Sequence, residues 1–369
     1  MSVNDDVIKA GVAKDVDYMG RLFRDFQAVD SAGISWIIPL CMSPYFSLVL
    51  HEAKRKPQAI DPSAFNGFSE EAEEVCARAR HSLKLFEDTQ RHIAGQLRYF
   101  EDEISTKHSK YFLGNTWLWL ARKWEKDLGL FTYEGNLVTT SHAAAFHLGV
   151  EAEKLFQDDN GKYMLGIMQQ MGQCFGALGA RMDTQGSETF ACHLSEPEVK
   201  AKDVRASTYY AQAFNGVATP AINGALTDFQ VRMNFLDKII TAGADTHNLE
   251  YTVFKIRYIT LYQVLSSLKI LKDDARYPLS RPSYTALDGI LNMDAASVIT
   301  NGAVREFRNT LIHYNLLRGA DVTKVDLRQP IFGLVPQYFP SYDFEELSEL
   351  IDTCIRETAE SLNEWAKGV

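Results

Sequence analysis

The 369-residue chain is long enough for two domains, and with 46% hydrophobic and 23% charged residues it is not broadly disordered. A formal net charge of -10 argues against a uniformly basic surface that coats nucleic acid, while a local basic cleft stays compatible with it. The five cysteines are scattered without a Cys-x-x-Cys pair, which argues against a disulfide framework or a structural zinc site.

The beginning of the chain indicates a cytosolic protein. Residues 1–6 are acidic and lack the basic start and apolar run of a secretory signal. Residues 33–50 carry no charge, but Pro39 and Pro44 would break a membrane-spanning helix near its middle. We therefore expect a buried core segment with a proline bend, and we keep a membrane span as the alternative.

Helical periodicity dominates the rest of the N-terminal half. It predicts helices over residues 69–104, 116–128, 141–156 and 163–178. The second of these carries three tryptophans, which is more typical of core packing than of a ligand platform. Polar, turn-forming residues at 183–187 and 195–197 place a domain boundary near residue 200. Residues 1–200 are thus predicted to form a helical domain whose regulatory or sensing role the sequence does not specify.

The C-terminal half, residues 201–369, is predicted to be a bundle of about five helices. The predicted helices cover residues 220–241, 247–272, 283–291, a segment from 295 or 301 to 317, and 343–366. The fourth is expected to stop near Gly319, since glycine commonly ends a helix. The predicted fold class is therefore all-α throughout.

One segment of the fourth helix carries a chemical pattern. Arg308 is followed directly by Asn309, and His313 comes after three further residues. An Arg-Asn-x-x-x-His pattern late in a helical bundle resembles the HEPN superfamily, whose signature is Arg, four to six residues, then His. The resemblance covers roughly residues 205–369 and leaves the N-terminal half unexplained.

The resemblance implies a metal-independent endoribonuclease. Histidine is the natural base for taking the proton of a 2′-hydroxyl near neutral pH, so His313 would be the base. A guanidinium can grip two oxygens of the phosphorane and stays charged, so Arg308 would stabilise the developing charge and Asn309 would orient one of the two. The expected products carry 2′,3′-cyclic phosphate and 5′-hydroxyl ends, and no cofactor or metal is required.

Helix geometry limits what one chain can do. On a straight helix, residues five apart point about 140° away from each other, so His313 would lie nearly opposite Arg308. In the family, two paired domains complete one cleft, which implies a homodimer or a larger homo-oligomer. A distortion of the helix near Thr310 is the alternative.

The resemblance also implies partners. HEPN proteins of this kind often act in toxin–antitoxin systems or antiviral defence, so an RNA substrate and an antitoxin or trigger molecule are expected. Toxins silenced by nucleotidylation carry Tyr two residues after the His, whereas this chain has Asn315 there and Tyr314 directly after His313. We therefore do not expect nucleotidylation to silence this protein. Arg305 and Arg318 flank the motif and are candidate RNA-binding residues.

Two interpretations from other classes remain open. The chain could be a non-catalytic HEPN-like module that binds RNA or a nucleotide, or a helical regulatory subunit that docks on another enzyme through its N-terminal aromatic cluster. His142 and His147 lie five apart, whereas zinc-binding histidines on a helix usually lie four apart, so we interpret them as packed core residues.

Overall fold

The computed structural model of the chain describes residues 2–29, 32–60, 70, 73–77, 92–98, 100–101, 126–148, 160–182, 188–216, 219–242, 251–277, 279–316 and 319–367. The fold is mostly α-helical with one small sheet, which confirms the predicted fold class. The α-helices are α1 (Val3–Ala28), α2 (Ala32–Ile60), α3 (His92–Arg98), α4 (Ser141–Leu148), α5 (Asn160–Met182), α6 (Ala206–Gln212), α7 (Pro220–Lys238), α8 (Tyr251–Asp273), α9 (Arg281–Leu291), α10 (Asp294–Ile299), α11 (Arg305–His313), α12 (Val335–Tyr338) and α13 (Phe344–Lys367).

The sheet is antiparallel and has the strand order β2-β1-β3. Its strands are β1 (Leu128–Tyr133), β2 (Asn136–Thr140) and β3 (Val199–Val204). A two-residue turn with positive φ at Glu134 and Gly135 joins β1 to β2, the conformation that tight hairpins favour. β3 then pairs with the other edge of β1 over its whole length.

Residues from both sides of position 200 share one hydrophobic core, which extends along the chain from Val7 to Trp365. Helices α1, α2 and α5 pack on one another, while α7 packs on β2, α3 and α13. Helix α8 is buried along most of its length and contacts α1, α7 and α13. The division at residue 200 stays a prediction, and β3 spans that position.

Helix α2 contains the charge-free segment and runs without a break through Pro39 and Pro44. The expectation that these prolines break a helix is therefore wrong, whereas the predicted burial is found. Residues Gly33–Lys56 are long and apolar enough to cross a membrane by length and composition, and 83% of their most apolar window is buried inside the protein.

The predicted helices of the C-terminal half are found at α7, α8, α9 and α13. The predicted fourth helix is divided into α10, a 3₁₀ turn at Gly302–Val304 and α11, which ends at His313 rather than near Gly319. In the N-terminal half, α4 and α5 lie where helices were predicted, while residues 116–125 lie outside the described residues and Leu128 begins a strand.

Candidate functional site

The short helix α11 presents the Arg-Asn-x-x-x-His motif. Asn301 caps the 3₁₀ turn that precedes it, and Glu306 places a negative charge in its first turn, where the helix dipole favours one. Its apolar residues Phe307 and Leu311 are buried. The helix packs between α2 and α8, so its two sides contact different partners.

Tyr314 ends α11 in a left-handed conformation, with φ 55° and ψ 9°. This conformation is uncommon for a bulky residue and needs support from its surroundings. The Tyr314 hydroxyl donates to Asp15 Oδ2 at 2.5 Å. Its ring fits closely against Gly11, because a Cβ built on that glycine would lie 2.6 Å from Tyr314 Cδ1. Helix α1 thus fixes the turn that follows His313.

Asp15 is the centre of a fully buried polar cluster. Its carboxylate also accepts hydrogen bonds from Lys255 Nζ at 2.5 Å and from Thr252 Oγ1 at 2.7 Å, and Lys255 Nζ lies 3.9 Å from the centre of the Tyr314 ring. Burial lowers the pKa of Lys255 below that of an ordinary lysine, although Asp15 opposes this effect. Burial, with a smaller contribution from Asp15, raises the pKa of Tyr314, so the phenol stays protonated and donates.

His313 is paired with Glu52 on α2. The Nδ1 atom of His313 lies 3.3 Å from Glu52 Oε1; the imidazole is 29% exposed, whereas the carboxylate is fully buried. Burial alone would raise the pKa of Glu52, but the neighbouring His313, with smaller contributions from Lys56 and His51, lowers it. Glu52 therefore stays ionised and lies on the Nδ1 side of the imidazole, although no aligned hydrogen bond joins the two groups. The Nε2 atom is the ring nitrogen on the side away from this carboxylate.

The same carboxylate is surrounded by further basic groups from α2. His51 Nε2 lies 3.8 Å and Arg55 Nη1 lies 4.0 Å from Glu52 Oε1. The Arg55 side chain is 62% exposed. Lys54, also in this run, forms an ion pair with Glu73.

Arg308 contacts different neighbours. It is only 5% exposed, its Nη1 donates to Asn309 Oδ1 at 2.8 Å, and its guanidinium lies 5.8 Å from the centre of the Tyr262 ring on α8. His313 instead contacts α2. The motif therefore directs the side chains of Arg308 and His313 to separate helices, as the five-residue spacing predicts.

Arg305 is exposed and lines a surface cavity of about 570 Å³. Tyr262, Lys269 and Thr300 also line it, so the cavity borders the ring that Arg308 contacts. Arg318, the second predicted RNA-binding residue, lies outside the described residues.

The histidines of α4 take part in buried hydrogen bonds. His142 Nδ1 lies 3.2 Å from the Tyr210 hydroxyl, and His147 Nε2 lies 2.9 Å from Asp228 Oδ1. Both side chains are buried, in agreement with the prediction that they are core residues. Within the described part of the chain, no group of three or more His, Cys, Asp or Glu side chains could hold a metal ion.

Glu52 and Asp15 were not identified from the sequence. Both lie on helices of the N-terminal half, far from the motif in the chain, and a single sequence carries no information on which distant residues meet. One signal was available for Glu52: the charge-free run of α2 ends abruptly at His51-Glu52-Ala53-Lys54-Arg55-Lys56. Comparisons of the chain with protein-family models, with curated proteins and with solved structures found no match.

Proposed function

We propose that the protein is a metal-independent endoribonuclease in which His313 is the general base. The observation that carries the proposal is the contact of His313 with the fully buried Glu52. A carboxylate beside one imidazole nitrogen favours the ring orientation in which the other nitrogen faces away from it, as a general base that must reach a substrate requires. The remaining nitrogen belongs to a ring that is partly open to solvent.

In the proposed reaction, His313 takes the proton of a ribose 2′-hydroxyl. The 2′-oxygen attacks the adjacent phosphorus, the bond from phosphorus to the 5′-oxygen breaks, and the leaving oxygen takes a proton from water or from a second histidine. The products are a 2′,3′-cyclic phosphate and a 5′-hydroxyl end. Pairing of two chains, which the resemblance to HEPN domains implies, would supply that second histidine.

The burial of Arg308 favours a second candidate function. A guanidinium that is 5% exposed and held by Asn309 and Tyr262 can support the helix without touching a phosphate. In that case the protein binds RNA or a nucleotide and cuts nothing. Both candidates make the chain a protein that binds RNA or a nucleotide, and a toxin or antiviral role is proposed only with the first.

The test is cleavage of total RNA and of tRNA in EDTA by the purified protein, compared with His313→Ala and Arg308→Ala. His193→Ala, which changes an exposed histidine, is the matched control. Cleavage by the wild type and the control, with cyclic-phosphate ends and loss in His313→Ala, supports the proposal. Equal cleavage by all four proteins, or RNA left intact by the wild type while it is bound, would exclude His313 as the base.

A further inference from the structure

We infer that the end of α2 forms a phosphate-binding site beside His313, built from Arg55 and Lys56 with His51. This inference rests on the proposed function in one respect: the phosphate is taken to be a phosphodiester of a single RNA strand. The sequence motif assigns the phosphate-binding role to Arg308. The structure assigns it to a different guanidinium, contributed by the half of the chain that the motif does not cover.

The geometry brings these groups around a single atom. Nitrogen atoms of His313, His51 and Arg55 lie 3.3, 3.8 and 4.0 Å from Glu52 Oε1. Lys56 is close enough for its charge to lower the pKa of Glu52. A phosphate beside Arg55 is therefore also beside the proposed base.

Arg55 and Arg308 differ in how much of the side chain is exposed to solvent. The Arg55 side chain is 62% exposed and follows the buried residues 37–50 of the same helix, whereas Arg308 is 5% exposed. A phosphate arriving from solvent can reach the first guanidinium without any rearrangement of the core. A guanidinium binds phosphate through two parallel hydrogen bonds, which also fixes the orientation of the strand.

Among the residues that the structure describes, the charge balance leaves this site positive. With both histidines counted as neutral, the single negative charge of Glu52 faces the two positive charges of Arg55 and Lys56. Among the described residues, Glu52 is the one acidic group within 4.0 Å of Arg55, and Lys54 is already paired with Glu73. In a chain with a net charge of -10, a local surplus of this kind marks where an anion is attracted.

The experiment measures binding apart from cleavage. The probe is a fluorescein-labelled single-stranded 2′-O-methyl oligoribonucleotide of about ten nucleotides, which keeps its phosphates but has no 2′-hydroxyl to deprotonate. Its Kd is measured by fluorescence anisotropy for the wild type, Arg55→Ala, Arg55→Lys and Arg356→Ala. Arg356 is an exposed cation on α13 and is the matched control.

Loss of one charge-assisted phosphate contact is expected to raise the Kd about tenfold in Arg55→Ala, and less in Arg55→Lys. The slope of log Kd against log salt should fall by about 0.7 in Arg55→Ala, while Arg356→Ala stays within about twofold of the wild type. Since Arg55 is exposed, these variants keep the fold, which circular dichroism checks. Glu52→Gln should bind the probe more tightly, because it removes the negative charge, an effect that a purely structural role would not produce.

An Arg55→Ala protein that binds like the wild type, or a wild type that does not bind the probe, would overturn the inference. The two proposals fail separately. If binding depends on Arg55 and no RNA is cleaved, the phosphate site is supported and the nuclease proposal is contradicted. If cleavage depends on His313 and binding does not depend on Arg55, the nuclease proposal is supported and the phosphate site is contradicted.

Discussion

At the scale of single residues, the buried pair of Asp15 and Lys255 connects the first helix to the turn that follows His313. Both side chains are almost fully buried, with 0% and 1% exposure. Removing one member of such a pair leaves an uncompensated charge in the core, which costs far more than the pair itself contributes. The pair therefore makes the position of Tyr314 depend on a residue about three hundred positions away in the chain.

We predict that Lys255→Met lowers the free energy of unfolding by about 3–5 kcal/mol, because it leaves the buried carboxyl group of Asp15 without its cationic partner. The double variant Asp15→Asn with Lys255→Met should lose less than the sum of the two single variants. Urea unfolding gives the free energy of unfolding of both single variants and of the double variant. Lys269→Met, at an exposed position of α8, is the control, and a loss as small as the control's would show that the pair has no role in stability.

A second buried carboxylate predicts a pH dependence. Burial alone would raise the pKa of Asp228, but the charge and hydrogen bond of His147, together with Arg232 and Gln96, lower it. Because the native pKa is lower than that of the unfolded chain, the stability that Asp228 contributes is complete above the ordinary pKa of about 3.9. It is lost as the pH falls below that value toward the native pKa, since the unfolded state then binds the proton first.

We therefore expect Asp228→Asn to reduce the dependence of unfolding free energy on pH between about pH 5 and 3, by up to about 1.4 kcal/mol per pH unit. The slope, rather than the absolute stability, is the quantity to compare, because the substitution also disturbs hydrogen bonds with His147 and Gln96. Asp294→Asn, at an exposed position, should keep the wild-type slope. Equal slopes in both variants would contradict the assignment.

At the scale of elements, two glycines of α5 differ in how closely a neighbouring helix approaches them. A Cβ on Gly172 would lie 2.7 Å from Phe23 Cδ1 on α1, while a Cβ on Gly166 would meet nothing within 4 Å. Gly172 therefore permits the close approach of α1 and α5, and it lines an apolar cavity of about 680 Å³ between α1, α2 and α5. Gly166 has no such role.

The two glycines predict opposite effects for the same substitution. Gly166→Ala should raise the free energy of unfolding by about 0.5–1 kcal/mol, because alanine loses less backbone freedom in a helix. Gly172→Ala should lower it by about 1–3 kcal/mol, because the ring of Phe23 must move within a packed interface. Thermal and urea unfolding of both variants measure the two changes in stability. A stabilised Gly172→Ala protein would show that the α1–α5 contact is loose.

The elements also show which parts of the fold the sequence determines locally. Helices α7, α9 and α13 were predicted to within a few residues, because apolar spacing is a local signal, and so are the capping residues at their starts, Thr219, Ser280 and Asp343. The β1–β2 hairpin was missed. Its turn places Glu134 and Gly135 at positive φ, and glutamate there lacks the Asn-Gly or Asp-Gly signature that identifies such turns.

The end of α11 was missed for a different reason. Nothing in the sequence near Tyr314 marks a helix stop, and the left-handed conformation there is held by Asp15 and Gly11 of α1. The same holds for the candidate site. His313, Arg308 and Asn309 can be selected by their pattern, but the partner of each is decided by packing, so that Glu52 and Tyr262 could not be predicted.

At the scale of the whole molecule, the candidate site belongs to both halves of the chain. His313 and Tyr314 are held by Glu52 and Asp15, and Asp228 is held by Gln96 and His147. Every one of these contacts joins a residue before position 200 to one after it. The C-terminal half alone would therefore keep the motif and lose the groups that orient it.

This dependence leads to the last prediction, which also tests the expected boundary near residue 200. The chain is divided between residues 217 and 218, because a division at 200 would cut through β3 and confuse loss of a strand with loss of a domain. We expect residues 218–369 alone to lack a cooperative thermal transition, since Lys255 and Asp228 would be buried without Asp15 and His147. Mixing the two fragments should restore one transition together with the native near-ultraviolet signal. A cooperative transition in residues 218–369 alone would instead establish an independent C-terminal domain, and the contacts of Asp15 and Glu52 would then join two domains that fold separately.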